Sequence, residues 1–209
     1  FIPLEVFFTT IVIDKMLERR EKEHLLEKLN MLIGLFYTEL GTKLLSDIVK
    51  GDAHGVMSNH RTITSDTWCD KSFAKLHEDI LKYDYEINIE KIDLKNIKNR
   101  LDNNKDLLIN LISNGNLLEH ETFTEMLMTI MHLKEELDTR YCEDIEEYEI
   151  KHIETDLMAV YKYLTIEWAE YMKYLSKNYP SLYCKALINN PFDNRDKKIK
   201  DKCFLGNIK

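Results

Sequence analysis

Leu25-Leu26-Glu27-Lys28-Leu29-Asn30-Met31-Leu32-Ile33-Gly34-Leu35-Phe36-Tyr37-Thr38-Glu39-Leu40-Gly41-Thr42-Lys43-Leu44 carries Leu25, Leu29, Leu32, Ile33, Phe36, Leu40 and Leu44 at intervals of three and four. That spacing lines the seven side chains along one stripe of an α-helix, where a strand would need strict alternation. The rest of the chain keeps the same period because little interrupts it. Pro3, Pro180 and Pro191 stand near the two ends, so residues 4–179 contain no proline, the residue that most reliably stops a helix. The one Asn-Gly pair, Asn114-Gly115, lies between two segments of helical period and not between the alternating runs of a hairpin. The pattern predicts an all-α protein, an antiparallel helical bundle of about five helices, two of them long. At 209 residues and 44% hydrophobic it is long enough and apolar enough to bury a core.

A first helix is predicted over about 4–49, with Gly34 and Gly41 marking close helix approach or a bend. A polar loop from Gly51 to Ser65 follows. Ser65 or Asp66 is a good cap for a second helix carrying Trp68, Phe73, Leu76 and Ile80. Residues 83–92 alternate weakly, as an extended piece or a helical connection. Asp93 caps a third helix with Leu94, Ile97, Leu101, Leu108 and Leu111, closed by Ser113-Asn114-Gly115. Asn116, with Glu119 three residues on, resembles a capping box for a fourth helix reaching about Asp138. A fifth, over about 143–178, would be about 50 Å long and is stopped by Tyr179-Pro180. A short helix over 181–188 ends the ordered chain. The expected layout is an apolar segment at 1–14, a bundle at 15–192 and a basic, flexible tail at 193–209.

The net charge of −8 argues against sequence-independent nucleic-acid binding, which needs a basic surface. The charge is uneven: thirteen acidic residues against Lys134, Arg140 and Lys151 between Glu119 and Asp156, and six basic against three acidic residues from Asp193 onward. The acidic stretch would suit a basic protein partner. Cys69, Cys142, Cys184 and Cys203 are far apart and form no C-x-x-C pair, so reduced thiols and a cytoplasmic setting are expected.

Near the front, Val6-Phe7-Phe8-Thr9-Thr10-Ile11-Val12-Ile13 is an apolar run followed by Lys15, Arg19, Arg20, Lys22 and Lys28, interleaved with acids. The run is too short to span a bilayer, which takes about 20 apolar residues. It reads either as the end of a membrane anchor, held at the inner face of the cell membrane, or as the buried start of an ordinary long helix.

No phosphate-binding glycine loop, nucleophile elbow or zinc-protease motif is present, and no catalytic residue is assigned. The alternative function is a metal-carboxylate, di-iron-like helical-bundle protein with a redox or metal-sensing role, its iron, manganese or zinc held by some of Glu121, Glu125, His132, Glu136, Glu149, His152 and Asp156. At 100° per residue Glu121, Glu125, His132 and Glu136 fall within about 60° of one another. Phe123, Met126, Ile130, Leu133 and Leu137 gather on the opposite side, which favours a solvated acidic face. Glu149-x-x-His152 matches the pair used in di-iron bundles. It recurs at Glu21 and His24, and in a chain with seven histidines and 37 acidic residues two matches are unremarkable. Glu149 and His152 also lie well off the Leu157, Val160, Leu164 and Tyr171 face. No metal or other cofactor is therefore favoured from the sequence. Tyr161, Tyr163, Trp168, Tyr171, Tyr174, Tyr179 and Tyr183 read as core or rim packing, with a ligand pocket as the alternative.

Three stretches together, Leu29 to Gly41, Leu118 to His132, and Glu167-Trp168 on to Asn178-Tyr179-Pro180 and Asn190-Pro191-Phe192-Asp193, resemble a family of uncharacterised prokaryotic helical proteins that often carry a hydrophobic N-terminal segment. The resemblance covers most of the chain and implies no activity, substrate or cofactor. It adds weight to the membrane-proximal reading. The function expected is a non-enzymatic helical module, close to a membrane, that binds a protein partner, self-associates or senses a ligand.

Overall fold

The computed structural model describes residues 2–55, 70–117, 120–140 and 147–193. The expected second-helix cap at Ser65 or Asp66, Trp68, the capping residue Glu119 and the tail beyond Asp193 lie outside these residues, as do Cys69, Cys142 and Cys203. Cys184 is a free thiol.

Among the described residues the regular structure is helical, with one isolated bridge between Asp52 and Ile87. Helix α1 (Ile2–Phe36) runs through a π-turn (Tyr37–Gly41) into α2 (Thr42–Ile48) and a 3-10 turn (Val49–Gly51). Then come α3 (Asp70–Lys82), a 3-10 turn (Ile89–Lys91), α4 (Leu94–Asn103), α5 (Lys105–Ile112), α6 (Glu121–Arg140), α7 (Glu147–Asn178) and α8 (Pro180–Ile188). As expected, two helices are long, α1 with 35 residues and α7 with 32. Helix α7 is the spine. It pairs antiparallel with α6 and also packs on α2, α3, α8 and the end of α1, while α4 and α5 cover α6.

Of the predicted stripe, Leu29, Ile33, Phe36, Leu40 and Leu44 are buried in one core with Phe123, Met126, Ile130 and Leu133 of α6 and Leu157, Val160, Leu164 and Trp168 of α7, while Leu25 and Leu32 are partly buried at its edge. At the π-turn one extra residue enters the helix, and Gly41 is needed there. A Cβ on Gly41 would stand 2.5 Å from the Phe36 ring and 2.8 Å from the Tyr37 ring. Asp47, 7% exposed, joins α2 to α4. Its Oδ2 accepts from Arg100 Nε at 2.9 Å, Arg100 Nη2 at 2.7 Å and Asn96 at 2.8 Å.

Several local expectations change. The first helix is not uniform but carries the π-turn, because packing of Phe36 and Tyr37 on α7 takes precedence over an unbroken hydrogen-bond ladder. The third helix breaks into α4 and α5 at Asn104, whose side chain donates to the Arg100 carbonyl at 2.8 Å. Asn116 does not cap α6. His120 does, its Nδ1 accepting from the Phe123 amide at 3.3 Å. Residues 83–88 are the extended alternative: Ala53 donates to Glu86 O and Asn88 to Gly51 O. Asp93 caps α4 as expected, accepting from the Asn96 amide at 2.9 Å. The first half of α1 is not a buried start. Phe7, Val12, Ile13, Met16 and Leu17 are exposed, and from residue 9 onward the first buried side chain on α1 is Leu29. Among the described residues, no helix is long and apolar enough to cross a membrane.

Candidate functional site

Helices α6 and α7 bury Phe123, Met126, Ile130, Leu133 and Leu137 against Ile153, Leu157, Val160 and Leu164. Burying those apolar faces fixes the rotation of both helices. It brings the residues at their shared edge together, His132 and Glu136 from α6 with His152 and Asp156 from α7. Each helix supplies a histidine and, one turn later, a carboxylate. Because the helices are antiparallel, each histidine meets the other helix's carboxylate.

The distances are short on every side. His132 Nε2 lies 3.6 Å from Asp156 Oδ2, His152 Nε2 lies 3.7 Å from the same oxygen, and His152 Nε2 lies 3.5 Å from Glu136 Oε2. The ligand atoms of His132, His152 and Asp156 all fall within 4.8 Å of one another. The imidazole rings stand perpendicular, their centroids 6.1 Å apart. Exposure divides by type: the carboxylate side chains of Glu136 and Asp156 keep 15% and 12%, the imidazoles of His132 and His152 keep 52% and 43%. Two nitrogens and the Asp156 oxygen thus gather at the lip of a helix seam, with Glu136 beside His152, the acids inside and the histidines open to solvent. Those are the donor types that hold a transition-metal ion.

The other three sequence candidates do not join them. Glu121 and Glu125 are exposed in the first turns of α6. Glu125 lies seven residues before His132, about 10 Å along the helix axis, and bonds the Tyr163 hydroxyl. Glu149 is not among the residues whose ligand atoms gather there. The signal in the sequence was the pair of four-residue spacings, His132 to Glu136 and His152 to Asp156, at equal remove from the α6–α7 connection.

Sequence reasoning also passed over Glu167, 2% exposed. Burial raises its carboxyl above the usual range, while a hydrogen bond from the Thr122 hydroxyl and the nearby His120 pull it down. The acidic stretch is less open than its composition implied. Lys134, 5% exposed, bridges Asp102 at 2.7 Å and Asp138, and Lys98 also pairs with Asp138.

A second concave feature is an open groove of about 1390 Å³ between α1, α2, α7 and α8. Its lining includes Met31 and Leu35 of α1, Tyr171 and Tyr174 of α7, and Leu182 and Lys185 of α8. Met31, Leu35 and Leu182 are exposed. Of the aromatic series, Tyr161 and Trp168 pack in the core, whereas Tyr171, Tyr174 and Tyr179 reach this groove.

Residues 25–188 match the family described as "Uncharacterized protein MJ1433, C-terminal helical domain". The chain is 42% identical over 196 residues to Uncharacterized protein MJ1433 of Methanocaldococcus jannaschii, across 93% of this chain and 78% of that protein. No solved structure matches. With the matched segment running from the start of the leucine stripe to the last turn of α8, the chain belongs to the MJ1433 C-terminal helical-domain family.

Proposed function

We propose that this chain is a non-enzymatic, membrane-proximal helical module that binds a partner. The observation carrying the reading is the exposed front of α1. Phe7, Ile11, Val12, Ile13, Met16 and Leu17 are exposed and spread apolar surface around the helix. A helix apolar around its girth is stable when covered by protein or lipid. Lys15, Arg19, Arg20 and Lys22 follow at once, at the level where lipid headgroups would lie. The charged remainder of the arm then spaces the bundle from that surface. The groove is the recognition face. It is larger than the roughly 300–1,000 Å³ of small-molecule pockets, so a polypeptide segment fits it better than a metabolite.

Flotation of the full chain with vesicles of phosphatidylcholine and phosphatidylglycerol tests the membrane part. The chain is expected to float with the lipid, and Phe7→Glu combined with Ile11→Glu to leave it in the dense fraction. A wild-type chain that stays below, or a double variant that floats equally, overturns the reading.

The cluster of His132, Glu136, His152 and Asp156 favours a second reading, a metal-carboxylate protein in which the ion acts as structural or sensory ligand.

A further inference from the structure

We infer that His132, Glu136, His152 and Asp156 form a tetrahedral zinc site that clasps α6 to α7 near their connection. The inference rests on the metal-carboxylate reading above and adds to it the ion and its geometry.

Interatomic distances discriminate between metals. Nitrogen and oxygen ligands at about 2.0–2.2 Å from a tetrahedral ion stand about 3.3–3.6 Å apart. Neighbouring ligands of an octahedral ion at the same bond lengths stand about 2.8–3.1 Å apart. The two contacts across the helix pair are 3.5 and 3.6 Å, and His152 to Asp156 within α7 is 3.7 Å. They lie nearer the edges of a tetrahedron than those of an octahedron. A single ion would take His132 Nε2, His152 Nε2 and Asp156 Oδ2, which already lie within 4.8 Å of one another, and Glu136 Oε2 would swing in from its contact with His152 to complete the four.

Donor chemistry and placement agree. Two imidazoles and two carboxylates suit zinc, and the two anionic oxygens neutralise its charge. A di-iron or di-manganese centre needs further bridging carboxylates, and Glu121, Glu125 and Glu149 are not gathered here. Ligands drawn from two helices and set on rigid elements are pre-positioned, the α6–α7 core having fixed their rotation. The half-exposed histidines leave a route for the ion from solvent, while the mostly buried carboxylates hold it. With Glu136 brought in, four protein ligands complete the coordination and the ion has no open position for substrate. A closed site of this kind stabilises or senses and does not catalyse.

The test uses the full chain, stripped with chelator and titrated with zinc chloride. One equivalent is expected to bind and to raise Tm by roughly 5–10 °C at a hundredfold excess over Kd. His132→Ala and His152→Ala should each weaken binding at least tenfold. Their half-exposed positions should leave the apo helical signal unchanged, and Glu125→Gln should bind as wild type does. Cobalt in place of zinc should give the intense visible absorption of a tetrahedral ion. Absence of saturable zinc uptake sinks both the metal reading and the zinc clasp, as does undiminished binding in the His132→Ala/His152→Ala double variant. Stoichiometric cobalt with a weak, octahedral spectrum sinks the tetrahedral site alone and leaves a metal protein of another geometry.

Discussion

The Tyr37 hydroxyl donates to the Leu164 carbonyl oxygen at 2.9 Å, in the middle of the bundle and across 127 residues of sequence. The same ring stacks on Tyr171 at 5.0 Å and meets Phe36 edge-on at 5.1 Å. Tyr37 therefore pins the π-turn to α7, and its hydroxyl is held well above the ordinary tyrosine range, first by burial and then by Glu167. Tyr37→Phe removes the hydrogen bond and keeps the ring. It should cost about 1 kcal/mol, lowering Tm by about 2–4 °C in thermal denaturation.

Gly41 and Gly115 give opposite expectations for the same substitution. Alanine is ordinarily the better helix former by about 1 kcal/mol. At Gly41 the new methyl meets the fully buried rings of Phe36 and Tyr37, which have nowhere to go. Gly41→Ala should destabilise by about 1–3 kcal/mol despite its propensity. Gly115→Ala meets nothing within 4 Å and should be within about 0.5 kcal/mol of wild type. Urea denaturation of the pair decides whether packing outweighs propensity at the π-turn.

Asp47 is buried and depends on Arg100, whose guanidinium contributes two of its hydrogen bonds. Arg100→Ala leaves that carboxylate with Asn96 and Lys50 alone. Breaking such a pair from one side should cost about 3 kcal/mol. Replacing both partners, Asp47→Leu with Arg100→Met, should recover part of that loss. Chemical denaturation of the single and double variants measures it.

Glu167 makes stability depend on pH in a stated direction. Burial raises its folded-state carboxyl above the unfolded value, so the folded state holds the proton more tightly. Its protonated form is fully favoured below the unfolded range, and stability is lost as pH rises through the raised value. Glu167→Gln keeps an acceptor for Thr122 and removes the titration. Its Tm should exceed wild type by roughly 2–4 °C at neutral pH, and the difference should shrink on acidification. Equal pH profiles for the two proteins would refute this account.

The arm and the bundle should be separable. Side chains described between Phe7 and His24 are exposed, and their ion pairs, such as Arg19 with Glu23 at 3.5 Å, stay within the arm. Deleting residues 1–24 should shift Tm by less than about 2 °C while abolishing any binding to vesicles.

Helix content, the core stripe from Leu29 to Leu44 and the Asp93 cap were legible because they rest on local spacing. The π-turn was not, because Tyr37 departs from the α-ladder to reach Leu164, a partner that sequence distance hides. Of the seven candidate ligands His132, His152 and Asp156 gather and Glu136 touches His152, whereas Glu121, Glu125 and Glu149 stand apart. Helical angle alone could not separate them, since Glu121, Glu125, His132 and Glu136 share one face.

The amino-acid order by itself determined that this chain coils into helices and which side chains they bury, since spacings of three and four and the absence of internal proline act within a few residues. Only the packing of α6 on α7 decided which polar groups at the edge face each other. That outcome depends on the register and rotation of two antiparallel helices, set by burying Leu133, Leu137, Ile153 and Leu157 together. It placed His132 beside Asp156 and Glu136 beside His152, contacts made between residues up to 24 positions apart.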